Sequence, residues 1–96
     1  MIRIEWDKLK VRYRENPISR TKNGNEFRIA RVTDTAVFID LPSKDEYISR
    51  ENLEKAVELI NKGEIINGPG DYRRKVYDQR PAYAWAILRD MGLLKG

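Results

Sequence analysis

Alternation of apolar and polar positions is clearest between residues 26 and 41. Glu26–Val32 reads EFRIARV, which places Phe27 and Ile29 on one face and Arg28 on the other. Residues 36–41 read AVFIDL, rich in β-branched and aromatic side chains, and the intervening Thr33-Asp34-Thr35 is typical of a turn. We therefore predict an antiparallel hairpin over about 26–41, with Tyr47-Ile48 as a short third strand.

Helical periodicity is strongest in residues 50–62. One apolar stripe there follows the i, i+3, i+4, i+7 pattern and comprises Leu53, Ala56, Val57 and Ile60. Ser49 is a typical N-cap residue, and Gly63 is a typical residue just after a helix end. A loop rich in Gly and Pro leads to a predicted helix over 72–79, and Pro81 begins a last predicted helix over 82–91.

The pattern in residues 2–15 fits two structures. Apolar and basic residues alternate from Lys8 to Arg14, as in a half-buried strand, whereas Trp6, Leu9 and Tyr13 fit one helical face. A helix would place like charges four residues apart, at Lys8–Arg12 and Lys10–Arg14. The residues alone therefore favour a strand.

These elements predict an α+β fold in which a small antiparallel sheet, with its hairpin at about 26–41, packs against two or three helices. A chain of 96 residues has the length of a single domain, assigned here to residues 1–96. We expect both tryptophans in the core. The other predicted core residues are Leu9, Phe27, Ile29, Val37, Ile39, Leu53, Val57, Ile60, Ile87 and Leu88.

Composition and charge narrow the function classes. The chain has no Cys and no His, which excludes disulfides, thiolate chemistry and every Ser-His-Asp arrangement. No apolar run reaches the length of a membrane span or a signal peptide, so we expect a cytoplasmic protein without a membrane partner. Net charge is +5 over residues 1–31, −4 over 32–64 and +3 over 65–96. If the basic ends meet, they form one face suited to a polyanion.

Two basic clusters are the candidate nucleic-acid-binding residues. On a strand, the first cluster would present a charge every 6.6–6.8 Å or so, close to the spacing of phosphates along an extended nucleic-acid strand. The second lies on the predicted helix 72–79, a candidate second helix of a helix-turn-helix after helix 50–62. The connection is longer than the usual three or four residues, which counts against the strict motif and leaves open a winged variant with the hairpin as wing. A protein partner or a solvated face fits this cluster equally well. The clusters are Lys8, Lys10, Arg12 and Arg14, and Arg73, Arg74, Lys75, Tyr77 and Arg80.

Four short motifs carry a family resemblance. They are I-x-W-x-x-L from Ile4 to Leu9, F-x-I-x-x-V from Phe27 to Val32, I-S-R at residues 48–50, and Y…R-x-x-Y-x-x-A-I-L from Tyr72 to Leu88. In this order they resemble a poorly characterised small prokaryotic α+β module, found alone or beside nuclease domains of the restriction type. The resemblance implies an N-terminal helix and a link to nucleic-acid processing. Family members carry a small polar residue where this chain has Ala82.

Catalysis finds little support in the residues. No Asp or Glu is followed two positions later by Lys, as a restriction-type metal site needs, and the acidic turn of Asp40, Asp45 and Glu46 is interpreted as a solvated turn rather than a metal site. We therefore expect no metal and no cofactor. The leading hypothesis is a non-catalytic nucleic-acid-associated binding module. Two alternatives stay open: a protein-interaction domain with an acidic partner, and an RNA-cleaving toxin-like domain that uses Arg, Lys and Tyr.

Overall fold

A computed structural model of the protein describes residues 1–42, 45–76 and 80–94, except for the side chain of Asp45. It has four strands and four helices in these ranges. In chain order they are α1 (Trp6–Glu15), β1 (Ile18–Arg20), β2 (Glu26–Val32), β3 (Ala36–Asp40), β4 (Asp45–Ser49), α2 (Arg50–Asn61), α3 (Pro69–Val76) and α4 (Pro81–Asp90).

The four strands form one antiparallel sheet in the order β1-β2-β3-β4. The predicted hairpin is its central pair, and the predicted third strand is β4. The inner face carries the buried apolar residues Phe27, Ile29, Val37, Ile39 and Ile48. The opposite face, here called the outer face, is exposed at Arg28, Arg31, Asp40 and Tyr47.

The helices pack against the inner face, where α1 contacts β2, α4 contacts β1 and α2 contacts β4. Helix α3 packs on α2 and α4 through Tyr72 and Val76, which are fully buried. All ten predicted core residues lie in this hydrophobic cluster, although Ile60 is only partly buried at its margin. The predicted α+β fold, with a small antiparallel sheet against helices, is thus confirmed. Among the described residues, no helix is long and apolar enough to cross a membrane.

Local sequence signals correctly predicted where several helices and turns begin or end. The Ser49 hydroxyl accepts a hydrogen bond from the Asn52 amide at 3.1 Å, as expected of an N-cap. Gly63 adopts φ +98°, a conformation that favours glycine after a helix end. The 33–35 turn forms as predicted, but the Thr33 hydroxyl, rather than Asp34, accepts the Thr35 and Ala36 amides. Helix α3 begins at Pro69 instead of residue 72.

The predicted N-terminal strand is wrong, because Trp6–Glu15 is helical. Trp6, Leu9 and Tyr13 form its buried face and are at most 5% exposed. The burial of these large side chains outweighs like-charge repulsion of a few tenths of a kcal/mol per pair. Nearby carboxylates also relieve that repulsion: Lys8 pairs with Glu5 at 2.6 Å, and Lys10 pairs with Asp34.

Candidate nucleic-acid interface

The four N-terminal basic residues point in different directions, since they lie on a helix. The predicted regular row of charges along a strand therefore does not exist. Lys8 and Arg14 are exposed, and Lys10 and Arg12 are half-buried. Lys10 and Arg14 line a cleft together with residues of β2, whereas Arg12 reaches the Ile18 carbonyl of β1.

Arg12 belongs to a polar network that joins the two ends of the chain. Asp90 of α4 accepts hydrogen bonds from the Tyr13 hydroxyl, at 2.8 Å, and from the buried Ser19 hydroxyl. The Arg12 guanidinium lies 3.8 Å from the same carboxylate and also donates to the carbonyls of Asn16 and Ile18. The basic ends thus meet around a carboxylate rather than forming one continuous basic face.

The network also alters the acidity of Tyr13. Burial raises the pKa of the Tyr13 hydroxyl well above its usual range, and the negative charge of Asp90 and the hydrogen bond to it add to the shift. A tyrosine held in its neutral form in this way is a hydrogen-bond donor at physiological pH. We therefore assign Arg12 and Tyr13 a structural role between α1, β1 and α4.

A basic cleft of about 410 Å³ lies between α1 and β2. Lys10 and Arg14 line it from the helix, and Arg28 and Arg31 line it from the strand. Its described lining residues include no carboxylate. The side chains of Arg14, Arg28 and Arg31 are exposed, and within the described part of the chain none of them makes a hydrogen bond or ion pair. We call the cleft lined by Lys10, Arg14, Arg28 and Arg31 the basic cleft.

The short length of β1 leaves this cleft open. Strand β1 pairs only with Glu26–Arg28, whereas β2 continues to Val32. Beyond Arg28, the side of β2 away from β3 carries one further backbone bond to a described residue, from the Ile29 amide to the Pro17 carbonyl at 2.7 Å. Within the described ranges the second half of β2 is consequently a free sheet edge that faces α1.

A β-bulge at Ala30 brings Arg31 to the outer face. Strict alternation would place Arg31 on the same face as Ile29, among the buried residues. The register instead pairs Ile29 with Ile39 and Arg31 with Phe38, so one extra residue lies between them. The bulge therefore reverses the direction of the Arg31 side chain and turns it to solvent.

Arg31 connects the basic cleft to an aromatic pair on the outer face. Its guanidinium lies 4.0 Å from the centre of the Phe38 ring, within the range of a cation–π contact. The Phe38 and Tyr47 rings are adjacent on neighbouring strands, with centroids 5.7 Å apart and planes tilted by 37°. Tyr47 is 59% exposed, whereas Phe38 is half-buried. We call Arg31, Phe38 and Tyr47 the outer ladder.

Most of the C-terminal candidates have acidic or carbonyl partners. Arg74 pairs with Asp71, Lys75 contacts Glu64 at 3.1 Å and the Ile65 carbonyl at 2.8 Å, and Arg80 pairs with Glu46. Arg73 is exposed and has no side-chain partner in the described ranges. Tyr77 lies outside the described residues. None of these side chains lines the basic cleft.

A strict helix-turn-helix does not form in the described ranges, as the long connection in the sequence indicated, and the winged variant that the sequence left open does not form there either. Seven residues, 62–68, separate α2 from α3, compared with the usual three or four. The proposed wing is the centre of the sheet and has a strand bonded on each side. The acidic residues of the 40–46 turn also diverge, since Glu46 faces inward to Arg80 and Asp40 is on the outer face. No cluster of three metal-ligating side chains occurs among the residues described.

Comparisons of the chain with family models, curated proteins and solved structures find no match.

Four residues of this surface escaped the sequence analysis as candidates: Arg28, Arg31, Phe38 and Tyr47. The signal for Arg28 was present, because its polar position in an alternating strand assigned it to the outer face. Phe38 and Tyr47 were not among the predicted core residues, but no local pattern distinguishes an aromatic residue that binds a ligand from one that only stabilises a strand. The outer-face position of Arg31 could not be predicted without knowledge of the bulge at Ala30.

Proposed function

We propose that this protein is a non-catalytic nucleic-acid-binding module that holds the phosphate backbone in the basic cleft. The observation that carries the proposal is the convergence of four cationic side chains from two elements on one open cleft. Unpaired arginines are strong phosphate ligands because a guanidinium donates two parallel hydrogen bonds to an anion.

The arrangement of neighbouring charges supports this choice of surface. Lys10 is the one cleft cation that pairs with a described carboxylate, Asp34, and that pair is at the surface. In the C-terminal cluster, by contrast, Arg74, Lys75 and Arg80 each have an acidic partner. A polyanion entering the C-terminal cluster would have to displace these carboxylates, so the basic cleft is the more accessible phosphate site.

The test is fluorescence polarisation with labelled single-stranded and duplex oligonucleotides at about 50 and 200 mM salt. Contact with four phosphates of a single strand gives a slope of log affinity against log salt of about −2.8. The variant Arg14→Ala with Arg28→Ala should bind about tenfold more weakly at low salt and show about half that slope, since each exposed ion pair contributes up to about 1 kcal/mol.

Two charge-matched variants serve as controls. Arg73→Ala with Arg74→Ala removes two arginine charges from α3, and Lys55→Ala with Lys62→Ala removes two exposed charges from α2 and its C-cap. Both should change binding less than the cleft variant does. Both should also keep their melting temperature, because exposed substitutions usually cost within about 0.5 kcal/mol.

Four outcomes contradict the proposal. Absence of binding to every oligonucleotide at low salt overturns the function itself. Equal losses in all three variants indicate non-specific attraction rather than a site. A larger loss in the Arg73/Arg74 variant moves the site to α3. Binding to an acidic protein without any binding to oligonucleotides would favour the protein-interaction alternative.

A further inference from the structure

We infer that the nucleic acid is single-stranded and that one of its bases stacks on the outer ladder. This inference rests on the proposed function and adds the class of nucleic acid. It starts from the position of Arg31, which lines the basic cleft and also lies against the Phe38 ring. A strand held by its phosphates in the cleft thus passes directly beside the half-buried Phe38 ring and the exposed Tyr47 ring.

Tyr47 has the properties of a stacking platform. It lies on an edge strand, more than half of its surface is exposed, and the neighbouring Phe38 ring supports it from the side. An aromatic side chain with this exposure is unusual in a chain whose two tryptophans are both at most 9% exposed. Every nucleobase has a flat π face that can cover such a ring.

The Arg31 guanidinium extends this surface. Its position over Phe38 offers a second flat group on which a base can stack, while its positive charge remains available to a phosphate. The cross-strand pairing of Arg31 with Phe38 and of Phe38 with Tyr47 fixes the order of the three side chains across the sheet.

The distribution of charge along the ladder sets the direction of the strand. Phe38 and Tyr47 line a surface depression together with Arg50, Glu51 and Glu54 of α2. Arg50 pairs with Glu54 at 3.1 Å and offsets one of the two carboxylates, so this end does not attract phosphates, whereas the basic cleft at the opposite end does. The backbone is therefore held on the α1 side, and the bases are directed towards Tyr47.

Duplex nucleic acid does not satisfy this arrangement. Its bases are stacked on one another and paired, so they cannot cover Tyr47 unless the duplex opens. A duplex can contact only the basic cleft, which makes a preference for single strands the distinguishing property of the ladder.

The experiment compares three ligands of equal length in fluorescence polarisation: a deoxythymidine oligomer of about 12 nucleotides, an abasic oligomer with the same phosphates, and a duplex. We expect the deoxythymidine oligomer to bind at least about tenfold more tightly than the abasic one. Tyr47→Val, which removes the ring but introduces a β-branched side chain that also favours a strand, should remove that difference. Tyr47→Phe, which keeps the ring, should preserve it.

Thermal unfolding of each variant separates binding from folding. If the Tyr47 ring only stabilises the sheet, its removal lowers the melting temperature but leaves the preference for the deoxythymidine oligomer over the abasic one intact. Equal affinity for the abasic and deoxythymidine oligomers, with both sensitive to salt, overturns the stacking inference and leaves the proposed function standing. Tighter binding of the duplex also overturns it. Failure of all three ligands to bind overturns the proposed function together with this inference.

Discussion

Replacement of Asp90 by alanine should be strongly destabilising, because this carboxylate is the common acceptor for groups on α1 and β1. The substitution leaves two buried hydroxyls, those of Tyr13 and Ser19, without their acceptor. Tyr13 and Ser19 are only 3% and 4% exposed, so water cannot readily replace the lost carboxylate as the acceptor of their hydrogen bonds.

The magnitude follows from these contacts. A hydrogen bond to a charged group contributes about 1.5–3 kcal/mol. The ion pair with Arg12 adds less, since its 3.8 Å separation and the 30% exposure of that side chain weaken it. For the two hydrogen bonds together we therefore expect a loss of about 3–6 kcal/mol. For a chain of this size the melting temperature falls by roughly 4–8 °C per kcal/mol, which gives a decrease of at least about 12 °C.

Thermal and urea unfolding monitored by circular dichroism measure this loss. Asp34→Asn is the matched control, because it removes a carboxylate that is 84% exposed and should cost less than about 1 kcal/mol. In the Asp90→Ala background, Tyr13→Phe should cost little more, since its acceptor is already gone. A change in Asp90→Ala no larger than that in Asp34→Asn would refute the role assigned to the network.

Three further predictions concern single groups. Because the pKa of Tyr13 is raised on folding, the contribution of Tyr13 to stability is complete below the unfolded tyrosine pKa of about 10 and declines at higher pH. Tyr13→Phe should therefore lose less stability than the unmodified protein when urea unfolding is measured at alkaline pH, and an unchanged pH profile would contradict this. Asp34→Asn frees Lys10 and should tighten oligonucleotide binding at low salt, whereas weaker binding would show that Lys10 is not a phosphate ligand. Ser49→Ala removes the cap of α2 and should cost about 1 kcal/mol in urea unfolding, with Ser49→Asp retaining most of that stability.

The parts of the fold that the sequence predicted are those determined by local patterns. Alternation located β2 and β3, and an apolar stripe with an N-cap and a terminal glycine located α2. For α1 the residues alone favoured a strand, because the like-charge spacings counted against a helix. The helical face of Trp6, Leu9 and Tyr13 was visible in the sequence, but its burial, which decides the structure, depends on the sheet against which α1 packs.

The candidate site depends even more on long-range structure. Strand β1 has only three residues and gives no clear periodicity, yet its early end opens the basic cleft. Arg31 reaches the outer face only through the bulge at Ala30, which a period of two cannot represent. The sequence identified Lys10 and Arg14 as basic candidates, but their partners Arg28 and Arg31 became apparent only once α1 was packed against β2.

The most direct test of the proposed site is a titration of ¹⁵N-labelled protein with a deoxythymidine oligomer, followed residue by residue by NMR. The proposed site predicts that the largest shifts occur at Lys10, Arg14, Arg28 and Arg31 and extend along the ladder to Tyr47. Shifts concentrated on α3 at Arg73 and Arg74, or no shifts at low salt, would contradict it.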